Sequence, residues 1–212
     1  MLELERLHYA PATAAAPILR GVQLRASPGQ PVLIAGDSGS GKTSLLEVIN
    51  GLARCGQGSI RWQGEELSQR QRRALCGMVF QFPERHFLGL TIGQELKLGH
   101  RRLPGEQVDQ VLRRVGLESV DRLMAPERLS GGQQRRLSLA VQLLRGAQVL
   151  LLDEPTAGLD WSVRDEVLGL LADLARDRVL IVVTHEPELF QGWSCDRHRL
   201  EAGQLSPMTT LR

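Results

Sequence analysis

The chain has 212 residues, with 26 Lys and Arg against 24 Asp and Glu, a formal net charge of +2 and 42% hydrophobic residues. That length supports one compact domain with an ample core and leaves no room for a membrane bundle beside it. No apolar run approaches the roughly twenty residues of a spanning helix, and the near-balanced charge argues against nucleic acid as the main partner.

In chain order, apolar alternation predicts strands over Leu2 to Tyr9 and Ile18 to Ala26, after a start that lacks a leader pattern. Ser27-Pro28-Gly29 marks a turn, and Pro31 to Ala35 is a short buried strand. A glycine-rich loop follows, then a helix from about Gly41 to Asn50 stopped at Gly51. Ser59 to Trp62 and Gly77 to Phe80 continue the strand pattern. From about Thr91 to Gln148 the pattern turns helical, broken at Pro104-Gly105 and Gly116. Two continuous apolar runs, Val149 to Leu152 and Val179 to Val183, bracket a helix over Val163 to Arg176. That alternation implies a parallel sheet covered by helices, with a helical insertion in the middle. Cys55, Cys76 and Cys195 are odd in number, widely spaced and free of any C-x-x-C, so they are expected to be reduced structural thiols. The Arg72-Arg73 and Arg101-Arg102 pairs are expected on solvated faces.

Gly36-Asp37-Ser38-Gly39-Ser40-Gly41-Lys42-Thr43, followed by Ser44, matches G-x-x-x-x-G-K-[ST] between a strand and a helix. Glycines let backbone N–H groups curl around an anion, and the helix N-terminus adds positive partial charge. Lys42 is suited to bridge β- and γ-phosphates, and the Thr43 hydroxyl to join a Mg²⁺ shell. Only Lys42 and Lys97 are lysines in this arginine-dominated chain. A slim ammonium fits inside a backbone loop where a flat guanidinium fork does not. Asp37 is expected to point away from the anion. Asp153 and Glu154 end an apolar strand, the edge where open α/β sheets bind ligands. Asp153 is suited to hold Mg²⁺, and Glu154 to polarise an attacking water.

Leu129-Ser130-Gly131-Gly132-Gln133 opens an amphipathic helix from about Gln134 to Arg145, a second anion-binding helix start. With this motif between the phosphate loop and the carboxylate pair, the chain resembles the ATP-binding-cassette (ABC) ATPases along nearly its whole length. The resemblance implies an α/β fold: a P-loop NTPase (RecA-like) core, an N-terminal antiparallel β subdomain and an inserted helical signature subdomain. It implies one domain over 1–212, with core residues at about 1–82 and 148–212 and the helical part at about 83–147. Tyr9 resembles the adenine-stacking aromatic, with an ordinary strand tyrosine as the alternative. Gln81 resembles the Q-loop glutamine that reaches Mg²⁺ and water. Gly158-Leu159-Asp160 resembles the D-loop, and His185 the switch histidine at the γ-phosphate.

In that family ATP is sandwiched between the phosphate loop of one cassette and the signature loop of another. The resemblance therefore implies ATP and Mg²⁺ as cofactors and ATP hydrolysis catalysed by Glu154, His185 and Gln81. It implies two partners, a second copy or a related ABC ATPase and integral membrane transporter subunits, with peripheral placement on the cytoplasmic face of the membrane. Phe80-Gln81-Phe82-Pro83-Glu84 and Thr156-Ala157-Gly158-Leu159-Asp160 look like the ATPases of energy-coupling-factor vitamin importers and cobalt or nickel importers. His86 and Trp161 depart from that subgroup's pattern. The alternative is a non-transport ABC ATPase acting on nucleic acid or ribosomes.

Overall fold

A computed structural model describes residues 1–14 and 16–208. Strands β1 (Leu2–Tyr9) and β2 (Leu19–Ala26) pair antiparallel, with Leu2, Leu4, Leu7, Leu19, Val22 and Leu24 all turned inward. Between Leu4 and Leu7 the register shifts, and Arg6 adopts φ 48, which restores the inward set after the bulge. β3 (Val32–Ala35) is buried along its length and leads through the phosphate loop into helix α1 (Lys42–Asn50). β4 (Gln57–Trp62) and the two-residue β5 (Glu65–Glu66) complete a four-stranded antiparallel sheet ordered β2-β1-β4-β5.

Helix α2 (Gln69–Leu75) then leads into β6 (Cys76–Val79). The helical stretch resolves into α3 (Ile92–Lys97), α4 (Gly105–Arg114) and α5 (Gly131–Leu144), broken at the expected Pro104 and Gly116. β7 (Val149–Asp153), α6 (Trp161–Leu174), β8 (Val179–Thr184), β9 (Asp196–Glu201) and β10 (Gln204–Pro207) follow. The second sheet runs β10-β9-β3-β8-β7-β6, parallel throughout except for the β9–β10 hairpin.

Alternate residues of this sheet feed two cores. Leu33, Leu150, Leu152, Leu180 and Val182 pack towards α5 and α6. Val32, Ile34, Val149, Leu151, Ile181 and Val183 pack towards α1 and the antiparallel sheet. Coverage on both faces explains why these strands are continuous apolar runs. Because β3, β8 and β7 are parallel neighbours, the loops leaving their carboxyl ends emerge side by side, which places the site. No helix among the described residues is long and apolar enough to cross a membrane.

The Arg72-Arg73 pair is not wholly on a solvated face. Arg72 is buried, and its guanidinium donates to the Val48 carbonyl near the end of α1, while Gln69 and Arg73 donate to the Gly51 carbonyl at 2.7 and 2.9 Å. These side chains add hydrogen bonds to carbonyls at the helix C-terminus, and the cations also oppose its negative dipole end. Cys76 is buried beneath them, and burial pushes its thiol up to about 12, consistent with an inert structural role.

Candidate functional site

The loop between β3 and α1 turns at Gly41, whose φ of 100 is left-handed and whose missing Cβ would fall 2.7 Å from the Ile18 side chain. Gly41 is also the N-cap of α1. It supplies no side-chain acceptor, and the first turn holds no acidic residue. The helix's free N–H groups therefore face outward, uncommitted and positive, as an anion site requires. Asp37 is exposed and does not line the cavity above this turn, as expected.

That cavity, of about 420 Å³, is lined by Ser38, Gly39, Gly41, Lys42, Thr43 and Ser44 on the loop side. Asp153, Glu154, Gln81 and His185 close the opposite side, and Ile18 borders it. Lys42 is only 7% exposed. Its Nζ donates to the Gly36 and Asp37 carbonyls at 2.8 and 3.0 Å and lies 3.9 Å from Glu154 Oε1. The ammonium thus braces the loop and keeps one direction free for a ligand.

β7 delivers the two carboxylates. Thr43 Oγ1 donates to Asp153 Oδ2 at 2.7 Å, so the hydroxyl and carboxylate at one end of the cavity already adjoin. Burial raises the Asp153 pKa, and the Thr43 hydrogen bond opposes that shift. Glu154 is held at φ 48, a left-handed conformation that costs a non-glycine residue about 1–3 kcal/mol. Its N–H is tied to the Val183 carbonyl at 3.0 Å, and the turn aims the side chain into the cavity. Glu154 Oε1 meets His185 Nδ1 at 2.7 Å, while the buried Oε2 has no partner among the described residues. The Glu154 hydrogen bond raises the His185 pKa above its ordinary value, and the Glu154 charge adds to this. A carboxylate lining the cavity beside a lysine and a histidine suits it to a water that must lose a proton.

The oxygen donors fit Mg²⁺, a hard cation that takes one or two carboxylates plus phosphate oxygens. Thr43, Asp153 and Gln81 offer a hydroxyl, a carboxylate and an amide oxygen to the same cavity.

The remaining expected site residues lie elsewhere. Gly36 and Ser40 shape the loop without lining the cavity, and the Ser40 hydroxyl is buried without a partner. Tyr9 is half-buried against the core under the antiparallel sheet; Ile18, not Tyr9, borders the cavity. No motif in the sequence marks Ile18. Ser130 caps α5 through a reciprocal box: its hydroxyl accepts from the Gln133 N–H at 3.3 Å, and the Gln133 amide oxygen accepts from the Ser130 N–H at 3.0 Å. Ser130 and Gly131 are exposed, as is Asp160 at the start of α6. Gly131 lies against Leu159, and a Cβ on Gly132 would collide with Val163. The turns around Ser130–Gly132 and Gly158–Asp160 therefore adjoin each other, apart from the cavity.

A family profile described as ABC transporter matches residues 19–157. ABC transporter I family member 11, chloroplastic, of Arabidopsis thaliana is 37% identical over 95% of this chain and 78% of its own length. The energy-coupling factor transporter ATP-binding protein EcfA2 of Symbiobacterium thermophilum is 40% identical over 71% of this chain, which spans 56% of that protein. The dimeric ATP-binding cassette MJ0796, in a post-hydrolysis state with ADP and Pi, superposes with a TM-score of 0.83 at 25% identity. That match covers 100% of this chain and 99% of the other. The chain belongs to the ABC transporter family.

Proposed function

We propose that this chain is the ATP-binding and ATP-hydrolysing subunit of a membrane transporter, working as a pair of cassettes that close around ATP. The observation that carries the reading is the division of the site. The phosphate cavity with Glu154 faces one way, and the signature surface with Ser130 and Asp160 lies outside it. A single chain cannot bring both onto one nucleotide. A second copy or a related cassette can, and the dimeric relative supports this arrangement.

In the cavity the α1 N-terminus and the loop N–H groups hold the β-phosphate, and Lys42 reaches the β- and γ-phosphates. Thr43, Asp153 and Gln81 hold Mg²⁺, which when bound neutralises the phosphate oxygens. Glu154, whose side chain lines the cavity, orients the attacking water and takes its proton on the carboxylate. His185, half-exposed at the end of β8, exchanges its contact with Glu154 for one with the γ-phosphate. Ser130, Gly131, Gly132 and Gln133 contact the γ-phosphate bound by the partner cassette, so closure requires ATP and hydrolysis releases it. Tyr9 does not line the cavity and is left out of the proposed nucleotide contacts.

The helical part, about 83–147, faces the membrane subunit, and the protein sits peripherally on the cytoplasmic face. Similarity to an energy-coupling factor ATPase supports an importer of the vitamin or metal class. The test is purification of the tagged chain from detergent-solubilised membranes of its source cells. Recovery with an integral membrane protein is expected; recovery with ribosomes or DNA and no membrane protein contradicts transport.

A further inference from the structure

Arg135 lies in the second turn of α5, five residues beyond the Ser130 cap, and is only 6% exposed. A guanidinium is costly to bury and offers five donors, so its partners reveal what keeps it there. Its Nη2 donates to the Gln81 carbonyl at 3.3 Å and to the Ala157 carbonyl, while its Nε has no partner among the described residues. Its Nη1 lies beside Gly131, 3.7 Å from where a Cβ would stand. Burial lowers its pKa, and the field of Glu84 opposes that shift. From the helix that the signature motif opens, one cation thus ties together two loops: the one carrying Gln81 and the turn that leads through Leu159 to Asp160.

These loops serve different nucleotides. Gln81 lines this chain's own cavity, whereas on the paired-cassette reading the signature loop and Asp160 serve the partner's. We infer that Arg135 is a positioning residue that locks Gln81 to the signature and D-loop surface, so that each site senses nucleotide in the other. No packing requirement explains the choice, because an apolar side chain of similar volume would fill the space without a buried charge. The hydrogen bonds run to backbone carbonyls, so they survive side-chain changes at Gln81 and Ala157 and follow only the loops' positions.

The experiment compares Arg135→Met and Arg135→Lys with the wild-type chain. It reads kcat, KM and the Hill coefficient of ATP hydrolysis, ATP affinity by calorimetry in EDTA, and the melting temperature. For Arg135→Met the expectation is a fall in kcat of about tenfold or more, since small misplacements of catalytic groups cost that much. Its Hill coefficient falls towards one, and ATP affinity stays within about twofold, because no phosphate-binding group is touched. Arg135→Lys recovers part of kcat, because an ammonium reaches one carbonyl but not both. A folded Arg135→Met chain with wild-type kcat and Hill coefficient overturns the proposal. So does equal loss in both variants that follows melting temperature while cooperativity is untouched. If the Met variant does not fold, Arg135→Lys decides alone, and an unchanged Hill coefficient overturns the proposal. Non-cooperative hydrolysis by a wild type that still dimerises with ATP overturns this proposal alone, whereas a chain that stays monomeric with ATP overturns the paired-cassette reading.

Discussion

Lysine 42 offers the sharpest test of the phosphate site, because the free structure shows how its donors are used. An ammonium has three N–H groups. Two are committed to the Gly36 and Asp37 carbonyls at 2.8 and 3.0 Å. The third is free to meet phosphate, since Glu154 Oε1 at 3.9 Å is an ion-pair neighbour beyond hydrogen-bond reach. Lys42→Ala therefore removes one charge-assisted hydrogen bond to ATP, worth about 1.5–3 kcal/mol. At 1.4 kcal/mol per tenfold, affinity falls by about 10- to 140-fold. Solvent screening trims little from this, because the side chain is buried. The true loss lies towards the upper end: the substitution also leaves Glu154 without its nearest fixed cation and unties the loop carbonyls. Titration calorimetry with ATP in EDTA measures the effect without turnover. A dissociation constant within about threefold of wild type, in a variant with native circular dichroism, refutes the reasoning.

Two further perturbations probe the parts around this loop. Gly132→Ala forces a Cβ into Val163, so it should cost about 1–3 kcal/mol of stability, the usual price of overpacking, and lower the melting temperature by several degrees. ATP affinity should stay near wild type while ATPase falls more than about tenfold, because the signature loop is displaced from Leu159 and Asp160; unchanged turnover contradicts the assignment. The His185 pKa is raised above 6.5 by Glu154, so the pair's stabilisation is complete below about 6.5 and is lost as pH rises through the folded-state value. Glu154→Gln removes the carboxylate, and an NMR titration of the His185 ring should move its midpoint down; an unmoved midpoint shows that the contact is absent in solution.

The central sheet was legible in the sequence because its strands are buried on both faces. Val149–Asp153 and Val179–Thr184 carry no polar residue until their carboxyl ends, where the site begins. β9 was not legible: of Asp196–Glu201 only Leu200 is buried, and a strand near a sheet edge does not need an apolar run. Helix α2 was masked by its arginines, although Ser68 and Gln71 form a capping box that the sequence displays. The same signal at Ser130 and Gln133 marks the true start of α5 at Gly131, three residues before Gln134, where apolar periodicity begins. The phosphate loop and carboxylate pair were readable because their chemistry demands particular residue types at fixed spacing. Ile18, Arg72 and Arg135 were not, since each gains its role from a loop or helix distant in the chain. In a chain so rich in arginine, a buried one looks no different from a solvated one.

On the proposed mechanism two cassettes close on ATP and open after hydrolysis. Light scattering during gel filtration of Glu154→Gln, with and without ATP and Mg²⁺, tests it most directly. Without Glu154 to accept the water's proton, turnover should fall by several powers of ten, each tenfold being about 1.4 kcal/mol of barrier. The closed state should then accumulate as a dimer with ATP and Mg²⁺, and the chain should run as a monomer without them. A monomer under both conditions, or ATPase near the wild-type rate, contradicts ATP-driven pairing.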